Sequence, residues 1–186
     1  MGDLVNKIAV VQGAPAASMQ RLFATLAERW LPSLRLAGVV AEDHGLADRA
    51  CSAGYLRSLR SGERFQIFQD LGPGSTGCHL AGAGALAATV AVQRDIADGC
   101  DLVLLSKFGK LEAGGGGLRD AFSAAIEEGI PVLTSVAPAF AAAWAEFAGS
   151  FSVVLPPDDD RIEDWRKAVV PKPPSHRHTS HLGSLR

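Results

Sequence analysis

The hydrophobic residues of this chain fall into short apolar runs separated by longer segments with helical periodicity. The runs lack strict polar alternation, which is typical of strands that are covered by helices on both faces. They are Lys7–Gln12, Leu36–Ala41, Asp101–Ser106, Pro131–Val136 and Ser152–Leu155. Each is too short for a helix, so we predict five buried strands.

Between these runs, apolar residues recur at the spacing of one helical face. The predicted helices are Ser18–Trp30, with Ser18 as N-cap, Ala81–Ala97, a helix from Leu118 that ends at Gly129, Pro138–Phe147 and a short helix that begins at Asp158–Asp160. Strands that alternate with helices predict a parallel, doubly wound α/β sheet.

One segment breaks this alternation. The strand-like runs Gly54–Arg60 and Arg64–Gln69 flank Ser61-Gly62-Glu63, and a three-residue connection with glycine predicts an inserted β-hairpin. The hairpin carries three arginines, Arg57, Arg60 and Arg64. They are interpreted either as a solvated hairpin face or as a lid or phosphate clamp over a site. The stretches 44–53 and 72–77 are predicted loops.

Length and composition limit the class of protein. The chain has 186 residues, of which 47% are hydrophobic, and a formal net charge of −2. This composition predicts one folded domain over residues 1–170, whereas the Pro-, Ser- and His-rich residues 171–186 are predicted to be a disordered tail. A single Tyr and a near-neutral charge argue against nucleic-acid binding. No apolar run is long enough to insert into a membrane.

The cysteines favour a reducing compartment. Cys51, Cys78 and Cys100 are odd in number and widely spaced, which predicts free thiols in a cytoplasmic protein. Cys78-His79 lacks the further ligands that zinc requires, and the histidines of the tail are interpreted as solvated. We therefore predict no metal site.

The candidate site lies in the stretch Asp101–Gly117. Here the central strand turns abruptly polar, and Ser106, Lys107, Lys110 and Glu112 are expected just beyond its carboxyl end. Ligands of open parallel sheets bind at that end of the strands. The glycines Gly114–Gly117, with Gly115 near the middle of the run, then lead toward the next helix. They are expected either to offer backbone N–H groups to a ligand or to form a flexible connector.

The first strand, its loop and its helix have the layout of a phosphate-binding P-loop, G-x-x-x-x-G-K-[ST]. When Gly13 is aligned with the first glycine, Ser18 stands at the second, Met19 at the lysine and Gln20 at the hydroxyl residue. The frame is present and its chemistry is absent. The amino end of the helix, near Ser18, still has free N–H groups that attract an anion, although the segment is equally well an ordinary strand–loop–helix corner.

The segments GAPAASMQRLF, AGYLRSLRSGERFQIF and DLVLLSKFGKLEAGGGGLRDAF resemble the small P-loop nucleoside triphosphatases related to the cancer-related nucleoside-triphosphatase. The chain resembles more closely still a bacterial domain-of-unknown-function family often encoded beside molybdate-transport genes. The resemblance covers roughly residues 7–157, and its most specific part is 108–118. It implies a three-layer, mostly parallel P-loop-NTPase-like α/β sheet with an inserted hairpin.

The departures from that pattern argue against catalysis. Where the triphosphatases end their strand with two acidic residues, this chain has Ser106-Lys107. The acid that organises Mg²⁺ and the glutamate that orients water are both replaced, and phosphoryl transfer depends on such electrostatic contributions. We therefore expect a scaffold that has lost hydrolysis and is not an enzyme.

The leading hypothesis is a binding protein for an oxyanion or a nucleotide phosphate. The expected ligand-binding residues are Gly13, Ser18, Ser106, Lys107, Lys110, Glu112 and Gly115, with Thr134 as a further donor. Glu112 is expected either to orient Lys110 or to cap the glycine loop. The cofactor stays open between a nucleotide and molybdate, and the resemblance suggests a role in molybdenum uptake or use.

Two alternatives remain. One is a nucleoside triphosphatase or kinase with a relocated lysine, in which Lys107 or Lys110 serves the γ-phosphate and Glu112 positions water or metal. The other is a structural interaction partner that docks through an exposed apolar helix face. A homo-oligomer or a complex with a molybdenum-pathway protein is compatible with each hypothesis.

Overall fold

The computed structural model describes residues 6–45, 53–68 and 82–170. The strands are β1 (Ile8–Val11), β2 (Leu36–Asp43), β3 (Ala53–Ser58), β4 (Arg64–Gln66), β5 (Leu102–Phe108), β6 (Val132–Val136) and β7 (Ser152–Leu155). The helices are α1 (Ala16–Trp30), α2 (Gly82–Ala97), α3 (Lys110–Ala113), α4 (Arg119–Glu127), α5 (Ala141–Ala148) and α6 (Asp159–Val169). The loop predicted at 72–77 and the predicted tail lie outside these residues.

The strands form one seven-stranded sheet in the order β4-β3-β2-β5-β6-β1-β7. Strands β2, β5, β6, β1 and β7 are parallel, whereas β3 and β4 pair antiparallel at one edge. The predicted fold class is confirmed: the sheet is mostly parallel, it carries the inserted hairpin, and helices cover both of its faces, as in P-loop NTPases.

Each face of the sheet has its own hydrophobic core. Helices α1 and α6 pack on one face, where α1 buries Phe23 and Leu26 completely. Helices α2, α4 and α5 pack on the other face, around Phe108 and Phe122. We call these the α1 face and the α2 face. Alternate residues of the buried strands point to opposite faces, which explains their unbroken hydrophobic runs.

Two element boundaries differ from the sequence prediction in ways that affect the site. Helix α1 begins at Ala16, and its N-cap is Pro15 without a side-chain cap, so the prediction that Ser18 caps the helix is wrong. Proline fits the first positions of a helix because its fixed φ suits the entry and its missing N–H needs no partner. Strand β5 continues to Phe108, which places Ser106 and Lys107 within the strand rather than beyond it.

Other observed element boundaries differ from the predicted ones by a few residues. Strand β4 ends at Gln66 rather than at 69, because the N–H groups of both Ile67 and Phe68 turn to the carbonyl of Gly54. The predicted helix over 138–147 opens with a 3-10 turn, Pro138–Phe140, before α5. Helix α6 starts as expected, with the Asp158 carboxylate accepting the N–H of Arg161 at 2.9 Å.

Strand β7 is one edge of the sheet and ends at two consecutive prolines, Pro156 and Pro157. Its last residue is still paired inward, since the N–H of Gln12 donates to the carbonyl of Leu155 at 3.1 Å. None of the helices in the described ranges is long and apolar enough to cross a membrane.

Candidate functional site

The two halves of the predicted site lie at the same edge of the sheet. Gly13 follows the carboxyl end of β1, and Lys110 follows the carboxyl end of β5. Because both strands are parallel to β6 and separated only by it, these ends lie about two strand spacings, ~10 Å, apart. Gly13 needs its glycine, since its φ is 104° and a side chain there is strained.

Ser106 is the most informative polar residue at this edge. Its residue exposure is only 6%, and its hydroxyl has no hydrogen-bond partner among the described residues. Leu104 packs on the α1 face and Leu105 on the α2 face, so strand alternation directs Ser106 toward α1. A buried hydroxyl without a partner costs about 1–3 kcal/mol and calls for an explanation.

The neighbouring strand contributes a serine that the sequence analysis did not select. The Ser135 hydroxyl of β6 donates to the carbonyl of Ser106 at 2.7 Å. Thr134 was expected to help, but Val132 packs on the α2 face and Leu133 on the α1 face, so alternation turns Thr134 away from Ser106. The register of β6 identifies Ser135 once the strand is assigned.

The two predicted lysines are exposed, and neither forms an ion pair within the described ranges. Lys107 follows Ser106 where the pairing of β5 with β6 shifts by one residue. Its side chain lies over Gly109, because a Cβ built on Gly109 would be 2.9 Å from Lys107 Cε. Lys110 is the first residue of α3. Both ammonium groups are therefore available to an external anion.

Glu112 has a structural position. It is buried, one carboxylate oxygen accepts the N–H of Gly109 at 2.9 Å, and the other accepts the N–H of Leu118 at 2.9 Å. Of the two roles expected for Glu112, the structure shows the capping of the glycine loop. Arg119 strengthens the same turn by donating to the carbonyl of Glu112 at 3.1 Å.

The glycine loop is held by its own backbone. The N–H groups of Gly114, Gly115 and Gly116 donate to carbonyls of α3, as in the termination of a helix. Gly117 has a φ of 60°, and its carbonyl accepts the hydroxyl of Thr89 from α2 at 2.8 Å. The amide of Gly115 is therefore already paired, and the loop does not present a row of free amides to a ligand.

The amino end of α1 faces the same sheet edge. Its first turn has no acidic residue and no side-chain cap. The first N–H that is paired within the helix belongs to Met19, which donates to Pro15. Ser18 lies in this first turn, half-buried, and its hydroxyl accepts from Arg21 at 3.2 Å. The preceding N–H groups have no helical partners, which favours a nearby anion.

The three hairpin arginines are all engaged. Arg57 and Arg64 both pair with Glu42, whereas Arg60 donates to the carbonyl of Asp95 at 3.1 Å on the side of α2. Arg60 therefore lies on the side of α2, away from Arg57 and Arg64, and the three arginines do not form a common lid over the site around Ser106.

The described residues provide neither a reactive thiolate nor a metal site. Burial raises the pKa of the Cys100 thiol to about 11, which favours the protonated thiol over the nucleophilic thiolate at neutral pH. Within residues 6–45, 53–68 and 82–170, no three His, Cys, Asp or Glu side chains are grouped to hold a metal. Cys51, Cys78-His79 and the histidines of the tail lie outside the described residues.

Comparison with known proteins gives two findings. Residues 8–165 match the family described as "Protein of unknown function (DUF2478)". The chain is also 34% identical over 161 residues to the molybdenum import ATP-binding protein ModC 2 of Bradyrhizobium diazoefficiens. That alignment covers 86% of this chain but only 18% of the relative, so the chain spans a small part of that protein. No solved structure matches.

Proposed function

We propose that this chain, which belongs to the DUF2478 family, is a P-loop-like domain that binds a tetrahedral oxyanion or the phosphate of a nucleotide without efficient hydrolysis. The observation that carries the proposal is the buried Ser106 hydroxyl, which has no partner among the described residues. An anion at the carboxyl edge of β5 accepts a hydrogen bond from this hydroxyl and removes the cost of leaving it unpaired.

Charge supports an anion rather than a neutral ligand. Lys107 is next to Ser106 in the sequence, and Lys110 follows three residues after Lys107. Both lysines are exposed, and neither has a carboxylate partner in the described ranges. The first N–H groups of α1, close to Gly13 and Ser18, have no partner among the described residues and act in the same direction through the helix dipole. Gly115 contributes by shaping the loop after α3, since its amide is paired.

Several replacements disfavour hydrolysis. Glu112 is buried and each of its oxygens accepts a backbone N–H group, which disfavours a role in activating water or holding Mg²⁺. Met19 and Gln20 stand where a P-loop has its lysine and its hydroxyl residue. Phosphoryl transfer without these charges loses most of its transition-state stabilisation.

Molybdenum uptake or use is the setting we propose. The support is the similarity to an ATP-binding protein named for molybdenum import, which includes a segment like this chain within a much longer polypeptide. Molybdate is a tetrahedral dianion, so the same hydroxyl and ammonium donors suit it. In this setting the protein acts in the cytoplasm beside a molybdenum-pathway protein.

Ligand-dependent stability tests the proposal. Thermal unfolding is followed with increasing molybdate, tungstate, sulfate, phosphate, ATP and GTP, since a ligand at about 100 times its Kd stabilises the native state by ~2.7 kcal/mol. We expect the melting temperature to rise with the concentration of at least one anion, and Lys107→Gln to reduce that rise. Lys167→Gln, an exposed lysine on α6, is the charge-matched control and keeps the wild-type response. A flat response to the whole panel contradicts the proposal.

A second candidate role, docking to a protein partner, is favoured by one observation. Helix α2 exposes 60% of Leu86 and 58% of Val90 beside a shallow cavity of about 480 Å³ that Phe65 of the hairpin also lines. Size-exclusion co-elution with the ATP-binding subunit of a molybdate importer tests this role. Docking predicts a complex that survives Lys107→Ala and Lys110→Ala and is lost in Leu86→Asp. A complex that survives Leu86→Asp excludes this surface.

A further inference from the structure

One carboxylate holds two guanidinium groups on the face of the hairpin. Arg57 Nε lies 2.6 Å from one oxygen of Glu42, and Arg64 Nε lies 2.7 Å from the other. The Arg64 guanidinium carbon also lies over the ring of Tyr55, at 4.2 Å from its centroid. Two arginines are thus fixed in orientation by one acid and one aromatic ring. We call Glu42, Arg57 and Arg64 the arginine pair cluster.

The cluster keeps an excess of positive charge and of hydrogen-bond donors. One carboxylate faces two guanidinium groups, which leaves one net positive charge. The shortest contact of each ion pair is through Nε, and no hydrogen bond joins a terminal nitrogen of Arg57 or Arg64 to an acceptor within the part of the chain that the structure describes. Guanidinium groups with free terminal N–H groups match the oxygens of phosphate in a two-pronged geometry.

The cluster opens to solvent on the α1 face. Leu56 and Phe65 pack in the core of the α2 face, so alternation turns Arg57 and Arg64 to the other side of β3 and β4. Helix α1 packs on β2 and β5, whereas β3 and β4 receive α2 on the opposite face. The side chain of Arg64 is 53% exposed and that of Arg57 is 26% exposed, so a ligand has access to both.

The geometry points to a second anion site: we infer that the arginine pair cluster binds a phosphate group, separately from the site around Ser106. Arg57 faces Val40 across β2 and β3, and Val39 faces Leu105 across β2 and β5. Arg57 and Ser106 therefore lie in nearly the same row of the sheet, two strand spacings or about 10 Å apart. The two sites share a face of the sheet but no residue, so each can be removed without the other.

The phosphate group that fits this cluster has two sources, namely free phosphate and the phosphate end of a larger compound. Isothermal titration calorimetry with inorganic phosphate and with ADP distinguishes them. If the natural ligand is a larger compound with a terminal phosphate, we expect ADP to bind more tightly than inorganic phosphate. Arg64→Gln is then expected to remove this difference in affinity. If free phosphate is the ligand, it binds at least as tightly as ADP.

The variants are Arg57→Gln, Arg64→Gln and Arg64→Lys in the full chain, with Arg94→Gln as the matched control. Arg94 is an exposed arginine of α2 on the other face and forms no ion pair among the described residues. We expect each Gln variant to weaken phosphate binding at least tenfold, Arg64→Lys to weaken it less because the charge remains, and Arg94→Gln to bind as wild type does. Far-ultraviolet circular dichroism checks that each variant is folded.

Equal phosphate affinity in Arg57→Gln, Arg64→Gln and Arg94→Gln overturns the inference. The test is independent of the proposed function, because Lys107→Gln removes a residue of the other site and leaves the arginine pair cluster intact. Loss of binding in the arginine variants but not in Lys107→Gln supports the second site while contradicting the first.

Discussion

The Ser135 hydroxyl donates its hydrogen to the carbonyl oxygen of Ser106 at 2.7 Å and so joins β6 to β5 at the carboxyl edge of the sheet. The hydroxyl of Ser106 itself has no acceptor among the described residues. Two serines on adjacent strands are thus in opposite states, one satisfied and one unsatisfied. The unsatisfied Ser106 hydroxyl costs free energy in the protein alone, and a ligand that accepts its hydrogen bond removes that cost.

The two serines predict opposite effects on stability. Ser106→Ala removes a buried polar atom without a partner, so the ligand-free protein is expected to gain about 1 kcal/mol of unfolding free energy. Ser135→Ala removes the hydrogen bond to the Ser106 carbonyl and is expected to cost about 1 kcal/mol. Urea denaturation without ligand measures both. A destabilised Ser106→Ala protein contradicts the interpretation of this hydroxyl as a binding group.

Glu112 is expected to be one of the most sensitive positions for folding. Glu112→Ala leaves the buried N–H groups of Gly109 and Leu118 without their acceptor, and the expected loss is about 2–4 kcal/mol of unfolding free energy. Glu127→Ala, at an exposed position on α4, is the control and is expected to stay within about 0.5 kcal/mol of wild type. Similar denaturation midpoints for the two variants exclude a structural role for the Glu112 carboxylate.

The glycine loop offers a test of steric fit. A Cβ on Gly117 would lie 2.2 Å from a Glu112 oxygen, whereas a Cβ on Gly115 would meet nothing within 4 Å. Both residues have positive φ, so each Gly→Ala change carries about 1–2 kcal/mol of backbone strain. Gly117→Ala is expected to cost clearly more than Gly115→Ala in thermal unfolding, because it also displaces Glu112. Equal losses contradict the contact.

Two carboxyl groups predict opposite responses to pH. Hydrogen bonds from the Arg35 side chain lower the pKa of Asp101, so its stabilising contribution is present above the unfolded pKa of about 3.9 and is lost as the pH falls through the lower folded pKa. Burial raises the pKa of Asp95, so the charged carboxylate destabilises the folded state. The free energy of unfolding therefore increases as the pH falls through the folded-state pKa of Asp95 and the carboxylate becomes protonated.

Unfolding free energies at about pH 7 and about pH 3 check this pair of shifts. Asp101→Asn is expected to lose less stability on acidification than wild type, and Asp95→Asn is expected to be more stable than wild type at neutral pH. If Asp101→Asn loses more stability on acidification than wild type and Asp95→Asn is less stable than wild type at neutral pH, the two pKa shifts are contradicted.

The elements with strong hydrophobic patterns were predictable from the sequence. Strands β1, β6 and β7 were placed within a residue or so, because unbroken apolar runs such as Ile8–Val11 have no other stable position than the centre of a covered sheet. The hairpin was predictable because Gly62 lies between two strand-like runs. In the structure Gly62 has a φ of 75°, a conformation that favours glycine.

What the sequence did not predict depends on contacts between distant residues. The short helix α3 ends by pairing the amides of the glycine loop, a use of Gly114–Gly116 that composition does not distinguish from an open anion-binding loop. The unsatisfied state of Ser106 and the donation from Ser135 depend on the register between β5 and β6. Glu42 was not selected, since its importance comes from two arginines on other strands.

The prolines after β7 have a consequence for assembly. An uncovered outer strand invites foreign chains to extend the sheet, and such growth needs a continuous row of amide hydrogens. Pro156 and Pro157 supply none, so the template that β7 offers is interrupted directly after Leu155. Among the described residues β7 has no outer neighbour, and the two prolines disfavour fibril-like stacking on this edge even though Val154 is exposed to water.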